Sequence, residues 1–236
     1  MKTQKLYHTE LSDKDWKILE PLVPQPKLGG RPAEYTRRDI VNAILYLLRT
    51  GCAWRLLPRE YPPFPTVFHY FTNGKKDGTW RRIHDTLVER VRKEDGREKH
   101  PSAGIIDSQT AKTADQAGPR GYDAGKKIKG RKRHILVDTL GLIILLVVHS
   151  AEIQDRDGAK LVLQPLENSQ PRLEKIWADG GYAGELEAWV ADLRDEDKEI
   201  ELEIVKRSDS SQGFVVLPHR WIVERTFAFF GELRVR

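Results

Sequence analysis

Three acidic residues sit where divalent-metal chemistry would need them. Asp107 closes the short apolar run Gly104-Ile105-Ile106 and is followed by the polar Ser108-Gln109-Thr110. Asp179 closes Ile176-Trp177-Ala178 and is followed by Gly180-Gly181, which lets a backbone or ligand come close. In α/β sheets ligands gather at strand ends, and hard carboxylates there can hold divalent ions. Two such ions about 3.5–4 Å apart supply what phosphodiester cleavage requires: an activated water or hydroxyl, in-line geometry, and charge stabilisation on the attacking and leaving oxygens. Taken singly, each aspartate reads more readily as a turn or cap residue. The same context in two places brings the metal reading level with that one.

Glu224 is the third acid. On a helix its neighbours three and four positions away are Trp221, Phe227, Arg220 and Ala228, a mainly apolar face. A carboxylate there needs a partner or a metal to offset its desolvation. A local Arg220–Glu224 ion pair is the plain alternative. Arg on the N-terminal side is the weaker orientation of such a pair, which leaves Arg220 able to face a phosphate instead.

The stretch RGYDAGKKIKGRKRH carries Arg120, Lys126, Lys127, Lys129, Arg131, Lys132 and Arg133. A bare basic run is usually a solvated loop. This one lies between the first acid and an apolar hairpin, which favours contact with DNA phosphates.

The elements that must position these residues change character along the chain. The first hundred residues read as helices. Ser12 with Asp15 forms a capping box before Trp16, Leu19 and Leu22. Thr36 caps a second helix with the stripe Ile40, Ile44, Leu47, Leu48, ended by Gly51. TVFHYFTN is a third, stopped at Asn73-Gly74, and a fourth starts near Thr79. Short helices with tight turns and interleaved basic and aromatic residues suit a helix-turn-helix type of DNA-binding module, or equally a helical subdomain with a solvated basic surface. A linker is expected over residues 95–104.

From Gly104 the pattern turns to strands: GIID, then RHILVDT and LIILLVVHS as a hairpin, the second strand apolar on both faces and so expected to be central. DRDGAKLVLQPLE follows as a helix capped by Asp155 or Asp157. KIWAD (strand), AGELEAWVADLRDE (helix), EIELEIVKR (strand) and a helix from LPHRWIVERTF complete the series. This is an α/β layout with a mixed sheet, which suits a ribonuclease-H-like domain; other mixed α/β folds fit the string nearly as well.

Bulk properties agree. The 236 residues are 39% hydrophobic and carry a formal charge of +5, a modest bias towards polyanions. One cysteine, Cys52, excludes an internal disulfide and a cysteine-based zinc site. The polar start and a longest apolar run of Leu142 to Val148, against roughly 20 residues for a membrane helix, lead us to expect a cytoplasmic protein.

IIDSQT around Asp107, GPRGYDAGKKIKGRKRHILVDTLG, HSAEIQDRDGAK, WADGGYAG around Asp179 and HRWIVERTFAFF around Glu224 together resemble the fifth insertion-sequence family of bacterial transposases. LSDKDWKILEPLVP and the stretch from GGRPAEYTRRDI to DGTW resemble that family's N-terminal domain. The resemblance spans nearly the whole chain. It implies a small all-helical DNA-binding domain (1–98) and a ribonuclease-H-like catalytic domain (99–236). The triad would be Asp107, Asp179 and Glu224 on Mg²⁺ or Mn²⁺, with Arg220 in the signature of the third acid. It also implies a homo-oligomer on double-stranded DNA, both terminal inverted repeats and target, with nicking followed by strand transfer and no covalent protein intermediate. Family members continue past the Glu helix with a basic stretch and a further helix, whereas this chain stops twelve residues after Glu224, so its end reads as truncated. Two further readings stay open: a catalytically inactive, truncated transposase acting only as a DNA-binding protein, and another ribonuclease-H-like nuclease.

Overall fold

Ser12 opens the first helix because its hydroxyl accepts from the Asp15 amide, while the Asp15 carboxylate accepts from the Ser12 backbone N–H. Thr36 and Asp39 repeat this arrangement at the second helix, which ends on Gly51 in the left-handed conformation (φ 63°). The computed structural model describes residues 6–25, 33–113, 118–194, 198–205 and 220–232. They divide into two compact units, one of residues 1–88 with 229–236, the other of residues 89–228.

The first unit is built on α1 (Asp13–Leu19), α2 (Arg37–Thr50) and α3 (Phe64–Lys76), with most of α4 (Thr79–Glu94). Its core is Ile40, Ala43, Ile44, Tyr61 and Val67, walled by Tyr7, Tyr46, Trp54, Phe71 and Trp80. The third helix runs through Asn73-Gly74 to Lys76 instead of stopping there. Packing explains the difference. A Cβ on Gly74 would lie 2.7 Å from the Trp80 ring, so only glycine lets that indole close on α3 and donate from Nε1 to the Phe71 carbonyl at 2.9 Å.

In the second unit the strands are β1 (Ala103–Lys112), β2 (Gly121–Asp123), β3 (Ile128–Asp138), β4 (Ile143–Ser150), β5 (Lys175–Ala178) and β6 (Glu201–Ile204). The sheet runs β3-β1-β5-β6, and β2 and β4 both pair with β3 along its other edge. Pairings among β1 to β4 are antiparallel, while β1, β5 and β6 are parallel. One face is covered by α5 (Asp155–Leu163) and α6 (Glu185–Ala191) over a core that includes Ile106, Leu136, Val162, Leu163, Ile176, Leu186 and Val190. The last helix, α7 (Arg220–Glu232), is anchored to the β3–β4 turn. There Thr226 Oγ1 donates to the Gly141 carbonyl at 2.9 Å and Arg225 donates to the Leu140 carbonyl at 2.6 Å. This is a ribonuclease-H-like mixed sheet.

Three expectations are corrected. Among the described residues β4 pairs only with β3, so this doubly apolar strand lies at an edge, with Leu146 and Val148 exposed. The first hairpin strand, expected from Arg133, begins at Ile128, so the basic stretch holds β2, a turn and the first half of β3. Neither Asp155 nor Asp157 caps α5, whose N-cap is Gln154 without a side-chain bond; the Asp155 carboxylate is engaged elsewhere. No described helix is long and apolar enough to cross a membrane.

Candidate active site

Asp107 does not end its strand. β1 continues to Lys112 beside β3, but its parallel pairing with β5 stops at Ile105↔Trp177. Asp107 and Asp179 therefore each stand two residues beyond the last paired residues of neighbouring parallel strands, where β5 has ended and β1 is open on that side. Alternation along a strand puts them in equivalent positions. The Ser108 amide donates to Asp107 Oδ1 at 2.7 Å and the Gly181 amide donates to Asp179 Oδ1 at 2.9 Å, which fixes each carboxylate by an amide one or two residues along the chain.

A further acid, Asp155, lies near Gly181. The position of a Cβ on Gly181 lies 3.1 Å from Asp179 Oδ1 and 4.0 Å from Asp155 Oδ2. Asp155 sits in the first turn of α5, and its Oδ1 accepts from Lys132 Nζ and Ser108 Oγ, both at 2.8 Å. Burial opposes ionisation of Asp155, yet the hydrogen bonds from Lys132 and Ser108 outweigh it and hold the carboxyl below its ordinary range. Beneath the acids lies Tyr182, fully buried. Its phenol is pushed well above the usual value, by burial first and then by the negative charges of Asp107 and Asp155, with Asp179 adding to them.

Tyr182 ends a chain of buried hydrogen bonds. His149 Nδ1 lies 2.9 Å from the Ser150 carbonyl, which can only accept, so this nitrogen carries the proton. His149 Nε2 then accepts from His134 Nδ1 at 3.3 Å, and His134 Nε2 accepts from the Tyr182 hydroxyl at 2.8 Å. Burial pushes the His134 pKa down to about 3, so the ring stays neutral. Gly158 lets α5 close on the pair, since a Cβ there would lie 2.6 Å from His134 Nδ1 and 2.7 Å from His149 Nε2.

The third acid is placed differently from the sequence expectation. α7 buries Ile222, Val223, Thr226 and Phe227, whereas Glu224 lies on the exposed side with Trp221 and Arg225. The helix inverts the expected face because Trp221 is itself half exposed. Among the described residues no three of His, Cys, Asp and Glu are gathered closely enough to hold one metal ion. The register brings Asp107 and Asp179 to corresponding positions of neighbouring parallel strands; the three acids form no metal-holding cluster among the described residues. The side chain of Arg220 lies outside the described residues.

The basic residues separate by the turn they occupy and, within β3, by strand alternation. Lys126, Lys127 and Lys129 are exposed, and Arg120, Arg131 and Arg133 half-buried. Lys126 Nζ reaches back to the Ser108 carbonyl at 3.3 Å, one residue from Asp107. Arg131 donates to the Pro119 carbonyl at 3.0 Å. Lys132 points to the other face and is buried, donating to the Ile153 carbonyl at 2.8 Å as well as to Asp155, with Asp123 3.8 Å away. It is therefore unavailable to a phosphate, which corrects its place among the expected DNA contacts. Sequence reasoning missed Ser108, His134, Asp155 and Tyr182 as site residues; the motifs HSAEIQDRDGAK and WADGGYAG contained two of them without saying why.

A ribonuclease-H-like sheet with aspartates at adjacent parallel strands defines a class of domain that processes nucleic acid. The chain belongs to the DDE transposase family, of the IS4/5 type: residues 98–236 match the family described as "Transposase DDE domain", and residues 11–84 match the IS4/5-family transposase domain DUF4096. It is 29% identical over 126 residues to "Insertion element IS402 uncharacterized 16.2 kDa protein" of Burkholderia cepacia, covering 50% of this chain and 78% of that protein. A solved structure, "Cryo-EM structure of piggyBac transposase synaptic complex with hairpin DNA (SNHP)", is similar at a TM-score of 0.39 and 14% identity. The likeness covers 84% of this chain, which spans about half (48%) of that one.

Proposed function

We propose that this chain binds the terminal inverted repeats of an insertion sequence and catalyses metal-dependent cleavage and strand transfer of DNA. The observation that carries the reading is the placement of Asp107 and Asp179 at the open end of adjacent parallel strands, within the matched DDE region. Their donors are hard carboxylates, whose charges add to burial in raising the Tyr182 phenol, so they fit Mg²⁺ or Mn²⁺. Asp107 and Asp179 would hold the metal, with Glu224 as third ligand on α7. The bound metal supplies Lewis acidity and lowers the pKa of a water or 3′-hydroxyl. Water opens a phosphodiester at the element's end, and the freed 3′-oxygen then attacks target DNA, displacing a 3′-oxygen there with no covalent protein intermediate.

Residues 1–98 are assigned to repeat recognition by a helix-turn-helix-like arrangement, and residues 99–236 to chemistry. The helical unit supports this: α3 exposes Phe68, His69, Tyr70, Asn73, Lys75 and Lys76, a mixture of aromatic and basic groups suited to nucleic acid. Lys126, Lys127, Lys129, Arg120, Arg131, Arg133 and Arg220 are assigned to phosphates. Two ends must be paired, so the working species is a homo-oligomer on DNA, in the bacterial cytoplasm at the nucleoid.

Nicking of a duplex bearing the element's own repeat tests the reading. We expect cleavage with Mg²⁺ or Mn²⁺ and its loss in Asp107→Asn and Asp179→Asn. Cleavage that ignores the repeat would point to a general nuclease. The exposed placement of Glu224 favours one second reading, a DNA-binding protein without catalysis. Tight repeat binding with no cleavage in either metal would select it.

A further inference from the structure

We propose that Asp155 and Lys132 are positioning residues of the acid site, acting on Asp107 through Ser108; this rests on the assignment of Asp107 and Asp179 to a metal. The argument starts from Lys132, whose side chain is only 4% exposed. A buried ammonium demands compensation, and this one is met by the Ile153 carbonyl and Asp155 Oδ1, both at 2.8 Å, with Asp123 at 3.8 Å. Thr110 and the Lys126 amide hold Asp123 in turn, at 2.6 and 2.9 Å. Lys132 thus joins β3 to the first turn of α5 through charge and hydrogen bonds.

The consequence falls on the aspartates. Both hydrogen bonds described for Asp155 land on Oδ1, from Lys132 and Ser108. Its Oδ2 lies 4.0 Å from the point that a Cβ on Gly181 would occupy. Ser108 is the link to the other acid, since its hydroxyl is tied to Asp155 while its amide donates to Asp107 Oδ1. One lysine therefore fixes a carboxylate that holds the hydroxyl of Ser108, the residue whose amide holds Asp107. It also offsets the negative charge of Asp155 itself.

Mn²⁺ binding to the full chain, followed by electron paramagnetic resonance without DNA, tests the assignment beside unfolding temperature. We expect Asp155→Asn and Ser108→Ala to remain folded and weaken Mn²⁺ binding about 10- to 100-fold, as loss of groups that orient ligands does. Lys132→Met should weaken it similarly and Lys132→Arg recover part of the loss. Salt dependence of DNA binding should be unchanged in Lys132→Met. Mn²⁺ binding that is lost in Asp107→Asn but untouched in folded Asp155→Asn and Ser108→Ala would overturn the inference and leave the metal assignment standing. Binding indifferent to Asp107→Asn and Asp179→Asn would overturn the metal assignment itself. A reduced salt slope in Lys132→Met would return that lysine to the DNA surface and overturn its positioning role.

Discussion

His134 is held as a neutral imidazole because both nitrogens are committed, one as donor to His149 and one as acceptor from Tyr182, in a place water does not reach. Its pKa falls from 6.5 to about 3 on folding. The unfolded chain therefore takes up the proton first as pH drops. This contribution to stability is complete above about pH 6.5 and declines towards about pH 3, by at most about 1.4 kcal/mol per pH unit. Urea denaturation of wild type and His134→Gln at pH 7 and pH 5 measures it. The wild type should lose more stability between the two, and equal losses would mean that His134 is solvated. The same residue scale shows what a single sequence hides. Asp107 and Asp179 were legible because each closes an apolar run. Asp155 was not, because its position in a first turn reads as a cap, and only the fold brings Lys132 to it from 23 residues away. Glu224 was read on the wrong face because Trp221 and Phe227 looked like one apolar stripe, and Trp221 remains half exposed.

Elements were legible where one local rule governs them. The capping boxes at Ser12 and Thr36 and the left-handed Gly51 set helix ends without tertiary help. Local rules failed where a distant partner decides. α3 passes through Gly74 because Trp80 needs the space, so Gly74→Ala should not gain the roughly 1 kcal/mol usual for glycine to alanine in a helix. We expect a net loss of about 1–2 kcal/mol in urea denaturation, since a Cβ at 2.7 Å from the indole must displace it. A stabilised variant would mean that Trp80 does not pack there. β4 read as central because nothing in its residues reports a missing neighbour. The end of β3 depends on another distant partner. Asp138 is fully buried, accepts from the Leu140 and Leu142 amides at 2.9 Å each, and pairs with buried Arg92 from the end of α4. Arg92→Met leaves that carboxylate buried with no cation and should cost about 3–5 kcal/mol. Asp138→Asn in the same chain should recover part of the loss, because the neutral amide keeps an acceptor for the turn; no recovery would make Arg92 important for its packing alone.

At the scale of the molecule, a formal charge of +5 says little about DNA, because many proteins with that charge never meet it. Distribution carries the argument. The β2–β3 turn exposes Lys126 and Lys127, and alternation along β3 leaves Lys129 exposed and Lys132 buried. Buried Lys132 cannot displace condensed counterions from a duplex, whereas each phosphate neutralised by an exposed lysine contributes about 0.9 to the slope of log affinity against log salt. Replacing Lys126, Lys127 and Lys129 together by glutamine should therefore lower that slope by about 2 to 3, and should do so equally on repeat-bearing and unrelated duplexes. Lys132 supplies the control from within the same run, because an ammonium already satisfied by protein oxygens releases no counterion when DNA arrives. An unchanged slope in the triple variant would move the phosphate-binding surface away from this ribbon. A slope that falls only on the repeat would mean that these lysines read sequence, a role their exposed and flexible ammonium groups are poorly built to perform.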